Sequence, residues 1–398
     1  MSASLHSDSV RVRVFGKTDV GRTREHNEDA FIVADLTTMD DSLGPQVQDH
    51  ALGDRGTLFM VADGMGGAAA GEIASAIATE VVLGELNSKW CRSGITDPET
   101  FAVAIKAATE SANDRIHAYA AEHPENRGMG TTATIAGVLG DTLYLAQVGD
   151  SRGYLIRDGI AHQITQDQSL MQKLIEAGEL TAEEAEVSNR RNIILQALGP
   201  EPTVRVDLTH QQVSRGDVLV LCSDGLSGQM RAADIARIVT AQVPNLEAAC
   251  TALIALANDN GGPDNITVIV TLFDGEGLKV SGSGALVGHR VYTGEIDARP
   301  TVRVSTDVLP PETEEERRAS GGAPAPPAPP ARPAATHAPS DVATTPDTAG
   351  QTRPAPSAKP APSVPPVPAT RISVGMLRLI LGGIAAALAL WLLLRNRS

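Results

Sequence analysis

The chain has 398 residues, 42% of them hydrophobic, with three cysteines and a formal net charge of −15 at pH 7. Residues 276–398 carry 13 Lys and Arg against 10 Asp and Glu, so residues 1–275 carry 20 against 38, a net of −18. A body this acidic repels phosphate backbones and argues against nucleic acid as a partner. Cys91, Cys222 and Cys250 are too few and too scattered for a disulfide framework or a cysteine-ligated zinc site, and they fit a reducing compartment.

Met1 to Val14 contains no apolar run, so no secretory leader is expected and the body should stay in the cytoplasm. Thr57–Ala62 is an apolar strand ending at Asp63-Gly64. Glu72–Leu86 and Pro98–Glu122 have helical periodicity, the first rich in alanine. Thr131–Ala136 and Thr142–Val148 flank Gly140-Asp141, a hairpin signal. Asp217–Cys222 is a second buried strand, ending at Asp224-Gly225. Leu246–Asn258 is helical, and Ile266–Val270 is a strand behind Asp264-Asn265. Hairpin-like strands with helices in separate blocks indicate an α+β body with antiparallel sheets over residues 10–275.

Residues 276–299 are ambiguous: Arg290–Tyr292 and Thr301–Val304 are short strands or nothing. Of the 25 prolines, 18 lie between Pro300 and Pro368, so residues 300–370 read as a Pro/Ala-rich disordered linker. The run Ile372–Leu394 is apolar except for Ser373 and Arg378. With Arg378 snorkelling it reaches the roughly 20 residues of a transmembrane helix. The chain is therefore expected at the cell membrane as a single-pass protein with a monomeric catalytic domain in the cytoplasm.

Asp63, Asp150, Asp224 and Asp264 each sit at the end or start of an apolar strand, three of them beside glycine. A carboxylate on a strand end points into a cleft from a rigid stem, and glycine beside it permits close approach of backbone. Four such positions without histidine or cysteine suggest oxygen ligation of magnesium or manganese. Arg22 to Asp29 adds the acids Glu28 and Asp29 and the arginines Arg22 and Arg24. A cationic fork beside metal-bound acids suits a phosphate oxyanion.

The segments Arg24-x-x-Asn27-Glu28-Asp29, Val61–Gly67, Gly128–Thr132, Val148–Gly153, Cys222–Leu226 and Gly261–Thr267 occur in the order seen in the metal-dependent protein phosphatases of type 2C. The chain resembles the bacterial branch that opposes Ser/Thr kinases, over roughly residues 10–272. The resemblance implies a four-layer αββα sandwich: two antiparallel β-sheets flanked by helix pairs, with metals in a cleft at one edge. It implies two Mn2+ or Mg2+ ions and a third, weaker one. Asp63 would bridge two metals and the Gly64 carbonyl would bind one. Asp224 and Asp264 would complete the carboxylates, Glu28 would be a ligand or near-ligand, and Asp29 would hold metal-bound water. Asp150 would hold the third metal with Asp224, and Arg24 would bind the substrate phosphate. The implied reaction is attack of metal-activated water on phosphoserine or phosphothreonine, without a phosphoenzyme.

Ser151, Ser223 and Cys222 then need only turn or packing roles. Two departures from the family pattern stand out. Met65 occupies the place of a histidine proposed as general acid, and Ser188-Asn189 replace a His-Pro pair in the flap, residues 165–195. Two rivals remain: a phosphatase specific for one regulatory phosphoprotein, and a non-catalytic phosphoprotein-binding scaffold.

Overall fold

A computed structural model describes residues 10–293 apart from 39–47, 68, 187, 189, 191 and 281–285. The expected linker, the apolar run 372–394 and Thr301–Val304 lie outside the described residues. Among the described residues no helix is long and apolar enough to cross a membrane.

One sheet runs, in spatial order, β10 (Ile160–Gln163), β9 (Arg152–Arg157), β12 (Val218–Cys222), β13 (Ile266–Asp274), β1 (Arg11–Asp19) and β3 (Gln48–Ala51). The other runs β11 (Asp207–Gln212), β8 (Thr142–Val148), β7 (Ala133–Leu139), β4 (Thr57–Ala62) and β2 (Ala30–Asp35). A short pair, β5 (Gly64–Met65) with β6 (Gly130–Thr131), sits beside them. Every pairing within the sheets is antiparallel.

The apolar runs read as buried strands because both of their faces are covered. In β12, Leu219 and Leu221 enter the core between the sheets, whereas Val218, Val220 and Cys222 face helices α6 (Ala232–Gln242) and α7 (Leu246–Asp259). In β4 the alternation repeats: Phe59 and Val61 point between the sheets, Leu58 and Met60 toward α1 (Ala70–Leu86) and α2 (Pro98–Glu122). With a side-chain period of two, a one-residue slip of either strand would exchange its two cores. The layers are thus helix pair, sheet, sheet, helix pair.

Helix ends follow local chemistry. Asp97 caps α2 by accepting from the Thr100 amide at 2.9 Å, ahead of Pro98, and Asn245 caps α7 by accepting from Ala248 N at 3.0 Å. Alanines 74 and 78 of α1 are fully buried against α2 and the sheet, which explains the alanine bias of that helix.

Packed structure continues past residue 275. Leu278 is buried and Val287 packs against the inter-sheet core. Val291 forms an antiparallel bridge to Thr209 of β11. His210 N donates to Arg290 O at 3.0 Å and Tyr292 N to Leu208 O at 2.9 Å. The Tyr292 ring stands edge-on to Tyr144 and His210, each centroid 5.7 Å away.

The register lines up one edge of the sandwich. Cys222 at the end of β12 pairs with Arg152 at the start of β9 and Val268 near the start of β13. In the other sheet, Ala62 ending β4 pairs with Ala30 starting β2, and Ala133 starting β7 pairs with Val148 ending β8. Asp63, Asp150, Asp224 and Asp264 all lie just beyond these ends.

Candidate active site

Each acid is held by backbone that the surrounding residues leave little freedom. Asp63 N donates to Thr132 Oγ1 at 3.0 Å, while Thr131 Oγ1 and Thr132 N both donate to Asp63 O at 2.9 Å. Gly64 N donates to Glu28 O at 3.2 Å. A Cβ on Gly64 would fall 2.3 Å from Gly71 O and 2.4 Å from Glu28 O, so only glycine fits. Gly149, at φ +97, turns the chain into Asp150, and its amide donates to Gln168 Oε1 at 3.0 Å. Asp224 begins the short helix α5 (Asp224–Ser227), packed so closely that a Cβ on Gly225 would lie 1.9 Å from Asn265 O.

Asn265 stitches the first motif to the last. Its Oδ1 accepts from Glu28 N at 2.9 Å, and its Nδ2 donates to His26 O at 2.9 Å and Val20 O at 3.0 Å. Asp29 Oδ2 accepts from Ser223 Oγ at 2.8 Å, and that same hydroxyl accepts from Thr267 N at 3.0 Å. Arg24 reaches the cluster from the rim, donating through Nη2 to Asp264 Oδ2 at 2.8 Å. Glu28 is buried with its carboxylate against Gly71 at the head of α1, where a Cβ would meet Glu28 Oε2 at 2.3 Å.

The proximity of these acids appears in their proton affinities. Burial, then Asp29, Asp224 and Asp150, raise Asp63 well above the carboxylate range. Burial and Asp224 push Asp150 up to about 8. Burial pushes Asp29 up to about 7 against the hydrogen bonds from Thr267 and Ser223. Burial and Asp264 raise Asp224, and its side-chain hydrogen bond to Asp63 opposes that rise. Two carboxyl groups can share such a bond only if one keeps a proton. Glu28 is raised by burial, with Arg24 opposing. The structure thus brings Asp29, Asp63, Asp150, Asp224 and Asp264 into one interacting cluster with Arg24 on its rim, and sets Glu28 behind it.

Among the described residues no three acidic, histidine or cysteine side chains are drawn into a ready-made metal cage. The chemistry of the acids nevertheless fits a cation: Asp29 Oδ1 and Asp150 Oδ1 are buried with no hydrogen-bond partner, and all the donors are hard oxygens. Arg24, Asp150, Asp224 and Asp264 line a cleft of about 710 Å³. The cleft runs on under α3 (Leu170–Glu176) and α4 (Ala182–Glu186), where Met171, Ile175, Ala185 and Met230 make its wall apolar.

Several contributors were not singled out from the sequence. Thr131 and Thr132 clamp Asp63, and Asn265 organises the loop that carries Arg24 and Glu28. Arg152 forks onto Asp167 at 2.7–3.1 Å on the cleft floor. Their only sequence signal was position within motifs already noted. Ser223 does more than pack, since it orients Asp29. Ser151 Oγ lies 2.8 Å from Thr132 Oγ1 and is fully buried. Cys222 is strand core, its thiol pushed up to about 12 by burial.

Comparison with known proteins agrees with this architecture. The family model for protein phosphatase 2C matches residues 37–270. The serine/threonine phosphatase stp of Listeria innocua is 34% identical over 255 residues, covering 64% of this chain and 93% of that protein. The serine/threonine protein phosphatase PstP of Mycobacterium tuberculosis is 40% identical over 217 residues, covering 54% of this chain and 40% of that protein. The crystal structure of M. tuberculosis PstP/Ppp superposes with a TM-score of 0.55 at 34% identity, covering 66% of this chain and 99% of that one. The PstP catalytic domain in complex with two manganese ions gives 0.54 at 33% identity, covering 67% and 100%. The edge cluster of acids, the sandwich that carries it and these matches lead to one conclusion: the chain belongs to the protein phosphatase 2C family and is a serine/threonine phosphatase.

Proposed function

We propose that this chain hydrolyses phosphoserine and phosphothreonine in proteins, with water activated by divalent cations at the Asp63 cluster, and that it opposes Ser/Thr protein kinases. The observation that carries the reading is the convergence of Asp29, Asp63, Asp150, Asp224 and Asp264 into one interacting cluster, with Asp150, Asp224, Asp264 and Arg24 lining the cleft beside it. Asp63, the Gly64 carbonyl, Asp224 and Asp264 would hold two ions, with Glu28 and Asp29 in support. Asp150 and Asp224 would hold a third. The PstP complex with manganese supports Mn2+ as the working ion. When bound, the cations lower the pKa of water toward neutrality and offset phosphoryl charge.

The chain's own groups do the rest. Arg24 is about half exposed, and its guanidinium donors beyond the bond to Asp264 have no protein partner among the described residues. They are free to bind two phosphoryl oxygens. Ser223 holds Asp29 with one oxygen aimed inward. Water attacks phosphorus opposite the serine or threonine oxygen; the P–O bond to that oxygen breaks and inorganic phosphate leaves. A phosphoenzyme is not needed. Ser223 Oγ is occupied on both sides, Ser151 Oγ is sealed against Thr132, and the Cys222 thiol is buried and protonated.

We also propose that Ile372–Leu394 anchors the chain in the cell membrane with the body in the cytoplasm, within reach of membrane-bound kinases. Fractionation of the full chain against a chain ending at Thr370 tests the anchor; equal recovery in the membrane fraction would refute it.

The activity itself is tested with p-nitrophenyl phosphate and a phosphothreonine peptide. Turnover should require Mn2+ or Mg2+, resist thiol alkylation, and fall by at least about 10²-fold in Asp63→Asn, since loss of outer partners of metal ligands alone costs 10–100-fold. A folded protein that binds the peptide without turnover would instead favour the scaffold.

A further inference from the structure

The segment after the body has a direction. Strand β11 starts at Asp207, paired with Gln147 next to the Gly149-Asp150 turn, and ends at Gln212, paired with Thr142 at the far end of the sandwich. Residues 290–292 run antiparallel to it, Arg290 against His210 and Tyr292 against Leu208. The chain therefore travels from the far end toward the edge that holds the acids, and the described residues stop at Thr293 on that course.

Contacts bridge the remaining gap. Tyr292 bonds Leu208, next to Asp207. Asp207 Oδ2 accepts from Gln168 Nε2 at 2.9 Å, and Gln168 Oε1 accepts from the amide of Gly149 at 3.0 Å. Two strand spacings, about 10 Å, separate the strap from the end of β8.

The sequence past Thr293 supplies hydroxyl residues within that range: Thr301-Val302-Arg303-Val304-Ser305-Thr306. Thr301 follows Thr293 by eight residues, which extended reach about 27 Å. The valines beside Thr301 and Ser305 also suit the cleft wall of Met171, Ile175 and Met230, two flexible methionines and an isoleucine.

We infer that the phosphorylated form of Thr301–Thr306 is an intramolecular substrate of the cleft, delivered by the strap 286–293. The inference rests on the cleft being the catalytic site. The step is the one above: water adds to phosphorus, the hydroxyl oxygen leaves with a proton, and inorganic phosphate departs. A tether this short gives an effective concentration in the millimolar range, so the chain removes its own phosphate before it meets another copy.

The test uses the full chain with phosphoserine genetically encoded at position 305, purified in chelator and started with Mn2+. Loss of phosphate is followed by intact mass, with p-nitrophenyl phosphate hydrolysis measured on the same sample. The expected first-order rate constant stays unchanged over a 100-fold dilution. Inserting 20 Gly/Ser residues after Thr293 lengthens the tether to Ser305 from 12 to 32 residues and should slow the reaction about 4-fold, by the −3/2 power of length. Tyr292→Ala, which frees the strap, should slow it as well, and both variants should keep their p-nitrophenyl phosphate turnover. A rate constant proportional to protein concentration would overturn the inference in favour of reaction between copies. So would persistence of phosphoserine 305 in a sample that hydrolyses p-nitrophenyl phosphate. Failure on both substrates would instead overturn the catalytic reading, and this inference with it.

Discussion

Replacing Ser223 with alanine separates an orienting role from a packing role. The hydroxyl donates to Asp29 Oδ2 at 2.8 Å and accepts from Thr267 N at 3.0 Å, and both Ser223 and Thr267 are fully buried. Alanine removes a hydrogen bond to a charged group, about 1.5–3 kcal/mol, and strands a buried N–H at about 1–3 kcal/mol. The two effects overlap, because the same oxygen serves both, so the expected loss is about 2–4 kcal/mol. For a domain of this size that is a fall in Tm of about 5–15 °C. Urea unfolding at constant m-value measures it. Asp29 also loses its orientation, so the Mn2+ concentration giving half-maximal turnover should rise about 10-fold or more. Thr109→Ala is the control: an equally buried hydroxyl donating to Ile105 O at 2.9 Å within α2, away from the acids, expected to cost about 1 kcal/mol and to leave Mn2+ dependence alone. A Ser223→Ala loss under about 0.5 kcal/mol with unchanged Mn2+ dependence would refute the reasoning.

Two further outcomes follow from the cluster. In chelator, the folded chain keeps protons on Asp29 and Asp150 up to about 7 and about 8, while unfolded carboxylates release theirs near about 4. The folded state then binds more protons, so this contribution to stability is complete below about pH 4 and is lost as pH rises to 8. The thermal midpoint in chelator should fall across that window, and excess Mn2+ should suppress the fall; a rise in chelator would refute the assignment. Gly225→Ala would place a Cβ 1.9 Å from Asn265 O, so Asp224 or the Asp264-Asn265 turn must shift. Turnover should drop by on the order of 10²-fold, as it does when a catalytic geometry moves by about 1 Å, and an active variant with wild-type kinetics would show that the turn yields freely.

Elements with a strong local pattern were legible without coordinates. Thr57–Ala62 and Thr142–Val148 are strands over those same residues, and Pro98–Glu122 is a helix over its full length. The acids were legible too, because a carboxylate at the end or start of an apolar strand recurs four times, three of them beside glycine. Less was visible where context overrides pattern. In β1 the alternation of charged and apolar residues, the pattern of a half-buried strand, covers only Arg11 to Val14, and pairing with β13 carries the strand on to Asp19. Arg290–Tyr292 is too short to declare itself and is extended because the edge of β11 offers it hydrogen-bond partners.

The sequence by itself determined the chemistry of the site, since hard oxygen donors and an arginine are properties of residue types. Tertiary structure alone decided which of them interact. Six segments, from residue 24 to residue 267, meet at one edge because the register of two antiparallel sheets brings the ends of β4, β8 and β12 and the starts of β2, β7, β9 and β13 to the same side. Proximity across that edge, and the burial that raises Asp63 and Asp150, depend on pairings far apart in the chain, which no local pattern encodes.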